Sequence, residues 1–144
     1  MFSKACEYGI KASIYISHQS QKGERVSLVA IAKAIDSPLA FTAKILQSLA
    51  KNNIIVSSKG STGGYEIPKD MQAKIMLFHI VEAIDGDKIY NGCGLGLPQC
   101  NERKPCPIHF QFKAIRDDLK VMLKTTAIEE LANGLHKGIA FLKR

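Results

Sequence analysis

Tryptophan is absent from this chain, proline is held to 5 residues and cysteine to 4. No apolar run approaches the roughly 18–20 residues that a membrane-spanning helix needs. With charged residues at 23% and apolar residues at 46%, the composition excludes collagen-like and disulfide-scaffold classes and does not fit intrinsic disorder. The amino-terminal stretch is broken by Lys4, Glu7 and Lys11, which the apolar segment of a secretory signal would not contain. A phosphate-binding loop ahead of a helix, a nucleophile with a partner base and paired carboxylates are also missing, so no enzyme is expected. At 144 residues the chain has the size of one compact domain, expected in the cytoplasm with no membrane partner.

Acidic residues are the scarcer sign, 13 against 20 basic, for a net charge of +7. The surplus is uneven: residues 1–68 carry +4, residues 69–92 carry −1 and residues 93–144 carry +4. Basic ends suit nucleic acid, an anionic surface or plain solubility, and composition does not choose among them.

What is present is mostly helical periodicity. Across residues 3–19, Ala5, Tyr8, Ala12 and Tyr15 form one apolar stripe and Cys6, Ile10 and Ile14 a second, which predicts a widely buried helix with Cys6 as a core residue. Ser27 caps a short helix through Leu28, Ile31, Ala32 and Ile35. Ser37 then offers a cap and Pro38 a first helical residue for a third helix to Lys51, with Leu39, Leu46, Leu49 and Ala50 turned inward. Residues 54–57 and 65–67, joined by a Gly-rich turn, predict a β-hairpin. A further helix carries Leu77, Ile80, Val81 and Ile84 and stops at Gly86. Beyond an irregular Gly, Pro and Cys segment, Ile108, Phe112, Ile115, Leu119 and Met122 keep the four-three spacing of a helix seam and read as a dimer interface. Thr126 with Glu129 suggests a capping box for a short helix ending at Asn133-Gly134, and Leu135, Ile139 and Leu142 a last amphipathic turn. The expected class is mainly α with a small β-hairpin: a winged helix-turn-helix over 1–86, a cysteine-rich loop over 87–108 and a dimerisation helix with terminal helices over 109–144.

Helix, short turn, helix and hairpin is the order in which the second helix of the pair enters a DNA major groove and the hairpin reaches an adjacent groove or the backbone. Ala40, Lys44, Gln47 and Lys51 share the outer face of that recognition helix, small at its start and then cationic and amide-bearing. Ser37, Pro38 and Phe41 lie at its entry. In the hairpin Ser58, Lys59, Gly60, Thr62 and Gly63 combine a cation, hydroxyls and glycine N–H groups suited to phosphate. Lys44, Lys51 and Lys59 are expected on phosphates of a pseudo-palindromic duplex bound by a homodimer, with Gln47 on a base edge. The competing reading is an interaction module, stabilised by zinc, that packs against protein and does not bind DNA.

Cys93, Cys100 and Cys106, with His109 three residues on, cluster in the irregular segment. Three thiols and an imidazole suit structural zinc or an iron–sulfur cluster, with metal-free thiol redox chemistry as a third course. Their long gaps wrap more readily around a cluster than the short pairs of zinc sites. If Pro107 opens the following helix, Cys106 becomes its cap and the site sits at the positive end of the helix dipole.

Residues 41–49, the hairpin Ser57-Ser58-Lys59-Gly60-Ser61-Thr62-Gly63-Gly64-Tyr65, residues 80–86 and the three-cysteine segment together resemble the Rrf-two family of bacterial winged helix-turn-helix regulators, with its IscR-, NsrR- and CymR-like branches. The resemblance implies a dimeric repressor whose long C-terminal helix packs on its partner and whose cysteine loop holds a cluster that tunes DNA affinity. It implies Cys93, Cys100 and Cys106 as ligands. His109 matches the histidine that completes a [2Fe–2S] site, favoured here over [4Fe–4S]; Glu7 is the alternative fourth ligand, reaching across from the other subunit as an acidic residue does in NsrR-like members. Oxygen can strip such a cluster from aerobically prepared protein. Ala43 stands where IscR-like members carry a glutamate that helps to choose the DNA sequence.

Overall fold

Ser3 opens the first helix, its hydroxyl accepting from the Cys6 backbone N–H at 3.0 Å. In the computed structural model, which describes residues 1–144, that helix is α1 (Lys4–Gln21), followed by α2 (Leu28–Ile35) and α3 (Leu39–Lys51). The hairpin comes next, β1 (Val56–Ser58) and β2 (Gly64–Glu66), then α4 (Lys69–Gln72), α5 (Leu77–Asp85), α6 (Lys88–Asn91), α7 (His109–Thr125) and α8 (Ile128–His136).

α1 is the axle of the fold, packed against α2, α3, α5 and α8. Its fully buried line is Cys6, Gly9, Ala12, Ser13, Ile16 and Ser17. Apart from Ala12 and Cys6, the two expected stripes are only half-buried, because small residues between them admit the neighbouring helices most closely. Ile84 of α5 fills the space a side chain at position 9 would take. Cys6 is a core residue as expected, its thiol pushed up to about 12 by burial and by the nearby Asp85 carboxylate. Asp85 in turn accepts from the Ser3 backbone N–H at 2.9 Å and from the Ser3 hydroxyl, fastening the start of α1 to the end of α5.

Ser27 caps α2 as read, accepting from the Ala30 N–H at 3.1 Å. α3 begins one residue later than expected. Pro38 is its cap with extended backbone, and the Ser37 hydroxyl is paired with Thr42 instead of a helix amide. Thr42, Ile45, Leu46 and Leu49 form the buried side of α3, whereas Leu39, expected inward, is 49% exposed at the first residue of the helix.

β1 and β2 are antiparallel, with Val56 opposite Glu66 and Ser58 opposite Gly64. Both strands start later or end earlier than the apolar pattern suggested: Ile54 and Ile55 are buried in the turn after α3, where they serve the core. Val26 supplies an unforeseen third strand position, exchanging backbone hydrogen bonds with Tyr65 at 3.0 and 2.8 Å. Gly64 adopts φ +132 and its missing Cβ would lie 2.8 Å from the Val26 carbonyl, so the Gly-Gly-Tyr segment is where the hairpin meets that strand. The hairpin base is tied to α1 by buried polar groups. The Ser17 hydroxyl donates to Gln72 at 3.1 Å, Gln72 donates to the Ile67 carbonyl at 3.0 Å, and the Ile67 N–H donates to Ser20 at 3.0 Å.

α5 has the expected buried residues Leu77, Ile80 and Val81 and the expected stop at Gly86. The Thr126–Glu129 capping box does not form. Thr126 closes α7 and Ala127 is extended, because this pair is drawn into a backbone ladder: the Leu77 N–H donates to the Thr126 carbonyl at 3.0 Å and the Ile128 N–H to the Ile75 carbonyl at 2.8 Å. α8 runs past Asn133-Gly134 to His136. The final amphipathic turn is absent; Leu142 packs on the core, Ile139 is exposed, and Lys143 donates to the Lys33 carbonyl at 3.1 Å. One core therefore joins Ile16, Ile31 and Leu46 to Leu123 and Ile128. Replacing Gln72 by Leu leaves the Ile67 carbonyl without its buried donor and is expected to lower unfolding free energy by about 1–3 kcal/mol in urea titration; an unchanged midpoint would contradict the anchoring role.

Candidate DNA interface and metal centre

Ala40, Lys44, Gln47 and Lys51 all stand exposed on the outer face of α3. None of the three lysines Lys44, Lys51 and Lys59 joins an ion pair, so their charge is free for an outside anion. Lys59, Gly60 and Thr62 are exposed at the hairpin tip, and Ser58 and Gly63 are half-buried beside it. The Gly63 N–H, expected to be open to phosphate, is donated to the Gly60 carbonyl at 3.0 Å within the turn. Phe41 is half-buried with its ring edge-on to Tyr8 at 5.7 Å, and thus belongs mainly to the α1–α3 contact.

Arg25, which the sequence did not single out, braces the hairpin. Its Nε donates to Glu66 at 2.8 Å and its Nη1 to the Thr62 carbonyl at 3.4 Å. No local pattern signals this, because Glu66 lies 41 residues further along the chain.

At the other end of the molecule, α7 carries the cysteine loop on its inner face. The helix starts at His109, later than Pro107: residues 107 and 108 form a turn closed by the His109 N–H on the Cys106 carbonyl at 3.0 Å. His109, Phe112, Arg116, Leu119 and Leu123 repeat along one side of α7. Leu123 is fully buried, and Leu119 packs against the core. The loop crosses close above: a Cβ on Gly94 would meet the Phe112 ring at 2.8 Å, and the Gly92 carbonyl accepts from Arg116 Nη1 at 2.7 Å. The expected seam is thereby split. Phe112 and Leu119 serve their own chain, Ile108 lies beside Gly94 while 38% exposed, and Ile115 and Met122 are 67 and 44% exposed.

Cys100 Sγ lies 3.4 Å from His109 Nδ1. His109 is 4% exposed, and its Nε2 is buried with no partner. The Cys93 thiol is held below its ordinary range chiefly by the backbone N–H groups of Leu95 and Leu97, with a smaller contribution from Cys106. All four cysteines are free thiols. No three His, Cys, Asp or Glu side chains are disposed to hold a single metal ion. Thiols with an imidazole are soft donors that suit zinc and an iron–sulfur cluster alike. Glu7 is elsewhere, paired with Lys4 at 3.3 Å on α1.

Comparison with known proteins agrees with this architecture. The profile of the Rrf2 family, described as iron-dependent transcriptional regulators, matches residues 2–134. The chain is 28% identical over 135 residues to an Aquifex aeolicus protein assigned as an HTH-type transcriptional regulator, covering 92% of each. It is 26% identical over 126 residues to the HTH-type transcriptional regulator IscR of Photorhabdus laumondii, covering 88% of this chain and 75% of that one. Among solved structures, the global cysteine regulator CymR of B. subtilis superposes with a TM-score of 0.75 at 21% identity, over 92% of this chain and 96% of that one. T. potens IscR gives the same TM-score at 15% identity, over 97 and 91%. These likenesses set aside the DNA-free interaction module and the enzyme alike: the chain belongs to the Rrf2 family of DNA-binding transcriptional regulators.

Proposed function

We propose that this regulator is a homodimeric repressor whose grip on a pseudo-palindromic operator is set by a cluster held in the cysteine loop. The observation that carries this reading is the contact of Cys100 Sγ with Nδ1 of the buried His109 at 3.4 Å, at the end of the segment that also holds Cys93 and Cys106. Cys93, Cys100, Cys106 and His109 would hold a [2Fe–2S] group, which supplies one-electron redox chemistry when bound. His109 is preferred to Glu7 as the fourth ligand because it already touches Cys100 and its Nε2 has no other partner. Amide N–H groups aimed at Cys93 favour its thiolate and so favour metal uptake.

On the DNA side, Lys44, Lys51 and Lys59 neutralise phosphates, Gln47 reads a base edge, and Arg25 holds the hairpin at its working angle through Glu66 and Thr62. Ile108, Ile115 and Met122, the exposed half of the α7 seam, meet the same stripe of a second copy, which sets the two recognition helices on a two-fold axis. One route of contact leads from loop to DNA: α7 packs on α5, α5 packs on α3, and Ser48 of α3 donates to the Ala83 carbonyl of α5 at 3.3 Å.

Protein purified without oxygen is expected to carry two irons and two sulfides per chain with a visible absorption band, and His109→Ala to change that band while Glu7→Ala leaves it alone. Zinc without sulfide, or a change confined to the Glu7 variant, would contradict the assignment. Operator affinity should fall steeply with salt, and Lys59→Ala should lower the slope of log K against log salt by about 2 per dimer, one per subunit; an unchanged slope removes the hairpin from the interface. Ile115→Lys with Met122→Lys should give a monomer in sedimentation, whereas a persistent dimer would place the interface elsewhere.

A further inference from the structure

Arg116 is 7% exposed, and the structure gives it no counter-ion. Its Nη1 donates to the Gly92 carbonyl at 2.7 Å, its Nε is buried without a partner, and no carboxylate forms an ion pair with it. The adjacent acid, Asp117, pairs with Lys113 at 2.8 Å and acts on Arg116 only through space, beyond ion-pair distance. A guanidinium cannot shed its proton at any ordinary pH, so burial of its Nε leaves a positive charge that one carbonyl and a carboxylate beyond ion-pair distance offset only in part. Removing such a charge from water is among the most unfavourable acts in folding unless an anion meets it.

The anion is at hand in the loop that Arg116 touches. Gly92 precedes Cys93, and Arg116 lies two turns along α7 from His109, on the same buried side. Thiolate ligands around a cluster leave a net negative group at that place. We infer that Arg116 is a positioning residue: it is the built-in counter-charge of the loaded cysteine loop, unfavourable when the loop is empty and stabilising when it is full. This rests on the functional reading above and extends it, because the same side chain then couples loop occupancy to the seating of α7. Phe112 and Leu119, on its two flanks, pack on the loop and on the core, so a guanidinium that is drawn inward or released shifts both contacts.

A role as a mere structural peg and a role as a counter-charge differ in sign. A peg destabilises the protein when removed in every state. A counter-charge, replaced by a neutral residue, stabilises the cluster-free protein and destabilises the loaded one. The test takes full-length wild type, R116M, R116Q and R116K, each measured cluster-free and after anaerobic loading with ferrous iron and sulfide. The thermal midpoint is read in both states and the reduction potential in the loaded one. R116M and R116Q should melt higher than wild type when cluster-free and lower when loaded, with a more negative potential, since a nearby cation favours the more negative reduced form; R116K should restore wild-type behaviour on all three counts. Neutral variants that melt lower when cluster-free, or fail to fold, or load with an unchanged potential, would overturn the inference alone. A wild type that takes up neither iron nor sulfide would overturn the functional reading beneath it.

Discussion

The inner face of α7 is the constraint on which the site depends. A Gly, Pro and Cys segment with little regular structure can stay in a compact fold only if something holds its backbone, and α7 holds it at three heights. His109 meets Cys100, Phe112 closes over Gly94, and Arg116 ties the Gly92 carbonyl. One turn further on, Leu119 and Leu123 are already part of the common core. The loop is thus fastened to the same helix that joins the core and leaves Ile115 and Met122 exposed. Little separates His109, the core leucines and the exposed residues Ile115 and Met122 along this helix, so the loop and the helix are tightly linked.

Positive charge is used in two opposed ways. On α3 and the hairpin, Lys44, Lys51 and Lys59 are solvated, unpaired and inexpensive to maintain, and their effect is screened by salt. Arg116 is buried, with its Nε unpartnered and no ion pair. Surface lysines adapt to a partner that comes and goes, whereas a planar guanidinium fixed by a carbonyl senses charge at one place. The braces are polar as well. Arg25 on Glu66, and Ser17 with Gln72 at the hairpin base, fix the angle of an element too small to be stable by itself.

Helix periodicity made α1, α2, α3, α5 and α7 readable, together with the Ser27 cap and the Gly86 stop, because each depends on neighbours within a turn or two. The failures share a cause. Thr126 and Glu129 form a good capping box in isolation, but backbone hydrogen bonds from Leu77 to Thr126 and from Ile128 to Ile75 draw the start of that segment across the fold instead. Val26 reads as the residue before a cap until Tyr65 arrives to pair with it. Gly63 looks like a free phosphate donor until the turn takes its N–H. The α7 seam was legible as a stripe, but a stripe does not say which half faces its own chain. Arg116 was invisible for the same reason: a lone cation on an amphipathic helix is ordinarily solvated, and only the loop folded over it makes it otherwise.

The coupling of loop to DNA is tested most directly by fluorescence anisotropy with one anaerobic preparation, its iron and sulfide measured, before and after the metal is removed by a chelator. The ligand is a duplex selected from random sequence by the protein itself. Affinity should change by about tenfold or more between the two states, and the difference should vanish when Cys93, Cys100 and Cys106 are replaced by Ser. Equal affinity of the iron-loaded and metal-free protein for that duplex would contradict the coupling.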